Sequence, residues 1–321
     1  MATLAADEGG SSTFGKITRL DPALDKLLPK DAKIEKLAEG FKWAEGPVWK
    51  DGEVLFSDVP ENTIYRWKEG QQKAEVFLRP SGGMESTPEF REPGSNGLAL
   101  DANGNLLICQ HGMRRVARLA KDGTQTPIAD RVGEKRFNSP NDLAVAKNGD
   151  IYFTDPPYGL AGVDKSPLKE LPYNGVFRVT KEGVVSVLLK DVDWPNGIAL
   201  SPDEKRLYVA VSSGEKPRIM AYDVQADGSV VNGGVFFDAT PLKGSGRHGS
   251  CDGLKVDQAG NLFATGPGGV LIISPEGKHL GTIETGKATA NCGWGDDGST
   301  LYITANDTLC RVKTTTKGTG F

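Results

Sequence analysis

The sequence predicts an all-β, six-bladed β-propeller with a short N-terminal extension. Three observations predict it. Six segments align with one another, a polar turn follows each of them, and an apolar strand follows each turn. From the leading polar residue to the aligned strand residue the spacing is ten, and eleven only in the fourth repeat. Helical periodicity is weak after the first 30 or so residues, so the repeat is one of strands.

Taken in order, residues 1–32 are polar, small or helix-prone and read as a leader ending in a short helix, Pro22 to Leu28. Lys33-Ile-Glu-Lys-Leu37 is strand-like and is placed to complete the last blade, which would close the ring without a free edge. The repeats then begin at Glu45-Gly-Pro-Val-Trp49, Asn96-Gly-Leu-Ala-Leu100, Asn141-Asp-Leu-Ala-Val145, Asn196-Gly-Ile-Ala-Leu200, Asp252-Gly-Leu-Lys-Val256 and Asn291-Cys-Gly-Trp-Gly295. Their turns, such as Lys50-Asp51-Gly52 and Asp257-Gln-Ala-Gly260, carry the Asn/Asp/Gly chemistry of hairpins. Further strands follow, for example Thr63-Ile-Tyr-Arg-Trp67 and Val176-Phe-Arg-Val179, so each repeat holds roughly four strands in about 40 to 55 residues, the size of a propeller blade. The propeller is assigned to residues 33–315 and a tail to 316–321.

A net charge of −4 gives no basic footprint for nucleic acid. No apolar run approaches the length of a membrane helix. Cys109, Cys251, Cys292 and Cys310 form no CxxC pair and are expected to be free, buried thiols. No secretory apolar segment stands near the start, which leaves the compartment open.

In a propeller the innermost strand of each blade lines the central channel, so a polar residue at its start faces the channel mouth. Those residues are Glu45, Asn96, Asn141, Asn196, Asp252 and Asn291. All six offer oxygen and two are carboxylates, a donor set for one hard divalent cation: calcium first, with magnesium, manganese and zinc as the other ions. The absence of His and Cys from the ring argues against a structural zinc site. Of the three histidines, His111 follows an apolar strand toward a channel mouth, His248 precedes Asp252 by four residues, and His279 reads as a surface turn residue. No nucleophile elbow, phosphate loop or dinucleotide fingerprint appears in its required context.

Several motifs together resemble the gluconolactonase/regucalcin (senescence marker protein) family of six-bladed propellers. They are Ala44-Glu-Gly-Pro-Val-Trp49, Phe56-Ser-Asp-Val-Pro60 and Ile64-Tyr-Arg-Trp67. Arg136-Phe-Asn-Ser-Pro-Asn-Asp142, Tyr152-Phe-Thr-Asp-Pro-Pro-Tyr-Gly159 and Gln110-His-Gly-Met-Arg-Arg115 resemble the bacterial gluconolactonase branch, and the likeness runs from about residue 33 to 312. The resemblance implies a small-molecule lactone substrate and one divalent metal held by Glu45, Asn141, Asn196 and Asp252. It moves Asn96 and Asn291 to substrate-facing or supporting roles, and His111, by its place after the strand, stands beside them as a candidate substrate contact. It also implies that Asp252 acts as general base, or else orients a metal-bound hydroxide. Ser139 stands where animal regucalcin-type members carry arginine, so substrate contacts of that arginine do not transfer.

Two other readings share the pattern. One is another metal-dependent hydrolase on the same scaffold, of the organophosphate-cleaving type. The other is a non-enzymatic calcium-binding or peptide-binding propeller. The channel walls would separate the first from a lactonase, and the candidate walls are Pro80 to Gly94, Tyr158 to Tyr173 and Ser212 to Pro217.

Overall fold

The computed structural model describes residues 14–244 and 246–321. Six antiparallel sheets follow one another around a ring, each running outward from an innermost strand. The innermost strands are Ala44–Lys50, Ser95–Leu100, Leu143–Val145, Pro195–Leu200, Leu254–Val256 and Thr289–Gly295. They define blades one to six. Asn141 and Asp252 lie just before their strands, and the other four ring residues lie within theirs.

Each strand buries both faces, so its apolar residues alternate between two seams. Strand Leu106–Gln110 shows this clearly. Leu106 and Ile108 pack toward blade one, while Leu107 and Cys109 pack toward blade three. The buried apolar residues accordingly fall into six clusters, one at each seam between neighbouring blades. All four cysteines are free and buried.

The ring closes between the first and last parts of the chain. Strand Glu35–Glu39 pairs with Thr308–Lys313 and becomes the outermost strand of blade six. The segment ahead of it does more than the sequence reading allowed. Lys16–Arg19 is a strand, paired with His279–Glu284 as a fifth strand of blade five. The helix is a short 3-10 turn, Pro22–Lys26, opened by the Asp21 side chain accepting from the Ala23 amide at 2.8 Å. It drops Leu24 and Leu28, both fully buried, into the seam between blades five and six. At the other terminus, the Thr319 amide donates to the Val256 carbonyl, which ties the tail to blade five. Residues 1–13 of the expected leader lie outside the described residues. Among the described residues no helix is long and apolar enough to cross a membrane.

Candidate functional site

Local irregularity aims the ring residues. In blades one, two, four and six the inner strand slips register at the ring position: between Glu45 and Val48, Ser95 and Leu98, Pro195 and Ile198, and Thr289 and Asn291. A bulge of this kind frees a side chain from the regular alternation and turns it toward the channel. The next residue is usually glycine because the adjoining blade lies against it. A Cβ on Gly197 would sit 2.3 Å from the Asp252 carbonyl oxygen, and one on Gly253 would sit 2.0 Å from the Asn291 side chain.

Hydroxyls on the second strands bind one blade to the next at the same level. Ser57 donates to the Asn96 carbonyl at 2.8 Å, Thr154 to the Asn196 carbonyl at 2.6 Å, and Thr265 to the Ala290 carbonyl at 3.1 Å. Ser212 does the same for the Cys251 carbonyl and also accepts from Asn196 Nδ2 at 2.9 Å. Two aspartates hold the loops that lead into ring residues. Asp58 accepts from the Lys42 and Trp43 amides ahead of Glu45, and Asp155 accepts from the Asn138 amide, at 2.7 Å, ahead of Asn141.

The six polar residues lead neighbouring inner strands around the ring, and among them Glu45 lies near Asn291 and Asp252, and Asp252 near Asn196. Five of them are buried, and Asp252 keeps some exposed surface. Asn291 Nδ2 donates to Glu45 Oε2 at 3.1 Å. Asn96 Oδ1, Asn141 Oδ1 and Asp252 Oδ1 are buried and have no hydrogen-bond partner among the described residues. Each such orphan costs about 1–3 kcal/mol, so these oxygens are candidate donors to a bound group. Burial pushes the Glu45 carboxyl up to about 7, helped by the nearby Asp142 charge and opposed by Asn291, the Gly46 amide and Lys255. Burial raises the Asp252 carboxyl well above its ordinary value, and the charges of Glu45, Asp142 and Glu92 push the same way. These carboxyls resist ionising side by side unless a cation joins them.

The histidines part company. His111 is fully buried, its Nδ1 is 3.0 Å from the Glu92 carbonyl and its Nε2 has no partner. Burial lowers its pKa to about 4, so it is neutral at neutral pH. His248 is exposed. His279 is the first residue of a strand and not of a turn, with Nε2 3.0 Å from the Gly281 carbonyl.

The structure adds residues that pattern reading missed. Asp142 reaches into the ring, 3.4 Å from Asn291 Nδ2. Lys255 lies 3.9 Å from Asp142. Both break the repeat, Asp142 where other blades carry mostly glycine and Lys255 where they carry apolar residues, and that departure was the available signal. Tyr158 and Trp194 stack with centroids 5.6 Å apart. Tyr158 stands close enough to Asp252 and Asn196 for both to act on its hydroxyl, and Trp194 adopts φ 51, a left-handed backbone unusual for so bulky a residue. Tyr158 opens one of the candidate wall loops, but no local pattern paired it with Trp194. Among the described residues, no group of three or more His, Cys, Asp or Glu could hold a metal, so any cation here depends on the asparagine oxygens.

A six-bladed propeller whose inner strands are each led by an oxygen-bearing polar residue defines a class of channel-site propellers. Within that class the chain belongs to the SMP-30/Gluconolactonase/LRE-like family, which it matches over residues 43–307. It is 40% identical to a gluconolactonase of Zymomonas mobilis over 331 aligned positions, covering 99% of this chain and 91% of that one. A gluconolactonase structure from Xanthomonas campestris superposes with a TM-score of 0.80 at 29% identity, covering 96% and 99% of the two chains. A diisopropyl-fluorophosphatase of Loligo vulgaris is 24% identical over 260 positions, covering 75% of this chain and 78% of that one.

Proposed function

We propose that the chain hydrolyses a sugar lactone of the glucono-1,5-lactone type, at a ring where Glu45, Asn141, Asn196 and Asp252 hold one divalent cation, calcium in the first place. The observation that carries this reading is the set of buried, partnerless oxygens on Asn141 and Asp252 beside the Glu45 carboxylate. Oxygen donors with two carboxylates fit a hard cation, and an ion there would relieve both the orphaned oxygens and the like-charge crowding. The 40% identity to a gluconolactonase supports lactone as the substrate class.

When bound, such a cation supplies Lewis acidity to the lactone carbonyl. Asp252 is the general base: its carboxylate, held ionised by the cation, would accept a proton from the water that attacks the carbonyl carbon. As the ring C–O bond breaks, the proton passes to the departing oxygen and an open-chain hydroxy acid is released. Tyr158 and Trp194 offer an apolar face to the C–H side of a sugar ring. Asn96 has a free Oδ1 for a substrate hydroxyl. Asn291 is committed to Glu45 and Asp142 and holds the ring's shape, and His111 braces the loop at Glu92.

The test is acid release from a panel of lactones. Chelated protein is compared with protein given calcium, magnesium, manganese or zinc. Hydrolysis of a sugar lactone restored by one of these ions is expected, and a rate insensitive to chelation and to all four ions would overturn the cation's role. The likeness to a diisopropyl-fluorophosphatase favours organophosphate cleavage as the second reading. An organophosphate ester belongs in the same panel, and its preference over every lactone would replace the first reading with the second.

A further inference from the structure

Two residues depart from the repeat, and the fold brings them together. One position after the ring residue the blades carry Gly46, Gly97, Gly197, Gly253 and Cys292, but blade three carries Asp142. Three positions after the ring residue they carry Val48, Ala99, Ala144, Ala199 and Trp294, but blade five carries Lys255. Lys255 Nζ lies 3.9 Å from Asp142 Oδ2. The Asp142 side chain is 2% exposed and that of Lys255 25%.

The pair is built in. A Cβ on Gly97 would come within 2.6 Å of Asp142 Oδ1, so glycine in blade two makes the room that this carboxylate occupies. The Leu143 amide donates to Asp142 Oδ1 at 2.9 Å, and Asn291 Nδ2 approaches Oδ2 from the other side. Asn291 in turn reaches Glu45, so polar contacts run from Lys255 to the ring. On its far side Lys255 lines a cavity of about 280 Å³ with Leu143, Ile198, Leu200 and Val256, and none of the ring residues lines it.

The charges can be counted. Asn291 joins Glu45 to Asp142, and with a cation bound Glu45, Asp252 and Asp142 would bring three negative charges to this level while Lys255 brings one positive charge. Glu92, which also acts on Asp252, has its own partner in Arg91 at 2.7 Å. The channel is left with two net negative charges, the complement of a divalent ion. We propose that Lys255 is a positioning residue for the cation site: by cancelling Asp142 it matches the ring to a divalent ion and against a trivalent one.

This rests on the cation reading above, and the experiment separates the two. Calcium and terbium binding is measured by calorimetry on the full chain and on Lys255→Met, Lys255→Arg, Asp142→Asn and the double variant Asp142→Asn/Lys255→Met. Lys255→Met should raise the preference for terbium over calcium by about tenfold or more, which one charge acting across a few ångströms of protein readily supplies. Lys255→Arg should keep the preference of the unaltered chain, and the double variant, again balanced, should return to it. If Lys255→Met does not fold, Asp142→Asn alone decides, because it should shift the preference the opposite way, toward calcium. If the unaltered chain binds neither ion, the Lys255 proposal fails and calcium is struck as the ring's cation, while the wider cation reading is decided by the four-ion lactone panel. If it binds calcium while these changes leave the preference within about twofold, below what a lost unit charge at this range should produce, the Lys255 proposal fails and the cation reading stands.

Discussion

Asn291 Nδ2 donates to Glu45 Oε2 at 3.1 Å, a hydrogen bond between the last inner strand and the first, across the seam that closes the propeller. It couples ring closure to the site. The two residues come from opposite ends of the repeat array, and they meet only when all six blades are in place.

Glu45→Gln should therefore weaken the site more than the fold. Glutamine keeps the shape and an oxygen for Asn291, while removing one of the carboxyls crowded at the ring. Calcium affinity should fall by at least about tenfold, since hydrogen bonds and contacts to charged groups are worth roughly 1.5–3 kcal/mol. The melting temperature in chelator should be unchanged or higher. Calorimetric titration with melts in EDTA checks both, and a variant unfolded even in excess calcium would make Glu45 a structural residue.

Asp252→Asn should abolish lactone turnover while much of the cation binding survives. Asparagine keeps one oxygen at the ring but cannot accept a proton, and losing a general base costs about a hundredfold to ten-thousandfold in rate. Asn196→Asp adds a carboxylate beside the Ser212 hydroxyl and should tighten the cation with a milder loss of rate. Metal content and turnover are measured on both variants together. Near-normal turnover in cation-loaded Asp252→Asn would reduce Asp252 to a ligand.

The metal-free protein should lose stability as pH rises from about 4 to about 7. Burial pushes Glu45 and Asp155 each up to about 7, and Asp252 is raised well above its ordinary value. Unfolded carboxyls titrate near pH 4. Between those limits the three folded carboxyls hold protons that the unfolded chain has released, so they favour the folded state on the acid side and the advantage shrinks as pH rises; buried His111, lowered to about 4, pulls the other way up to about pH 6.5, one group against three. Calcium binds the ionised ring and should stabilise more at pH 8 than at pH 5. Thermal melts in EDTA and in calcium across this range test it. A melting temperature in EDTA that climbed from pH 4.5 to 7 would show that the carboxyls do not outweigh His111 and would overturn the prediction.

Gly197→Ala should cost about 1–3 kcal/mol, the usual price of overpacking. Its Cβ would meet the Asp252 carbonyl oxygen at 2.3 Å and the Gly253 Cα at 2.7 Å, and backbone cannot swing aside as a flexible side chain can. Gly214→Ala is the control, because a Cβ there meets nothing within 4 Å. Urea unfolding of the two variants should separate them, and equal midpoints would mean that the inner strands of blades four and five are not held in register by this contact.

By itself the sequence determined the strands, the turns, the number of blades and the six polar residues that lead the inner strands. These are local properties: alternation with period two, Asn/Asp/Gly turns and a repeat spacing that survives from Glu45 to Leu301. It also placed a closing strand near Lys33–Leu37, because an unpaired edge needs a partner, and Glu35–Glu39 fills that place. It did not show that Lys16–Arg19 adds a fifth strand to blade five, since four residues carry too little pattern to name a partner far along the chain. Only the tertiary structure decided that Asp142 and Lys255 meet, that Tyr158 stacks on Trp194, and that His111 is sealed away from solvent. Those facts depend on how six blades tilt around one axis. Contacts between residues so distant in sequence have no local signature, and they exist only once the ring has closed.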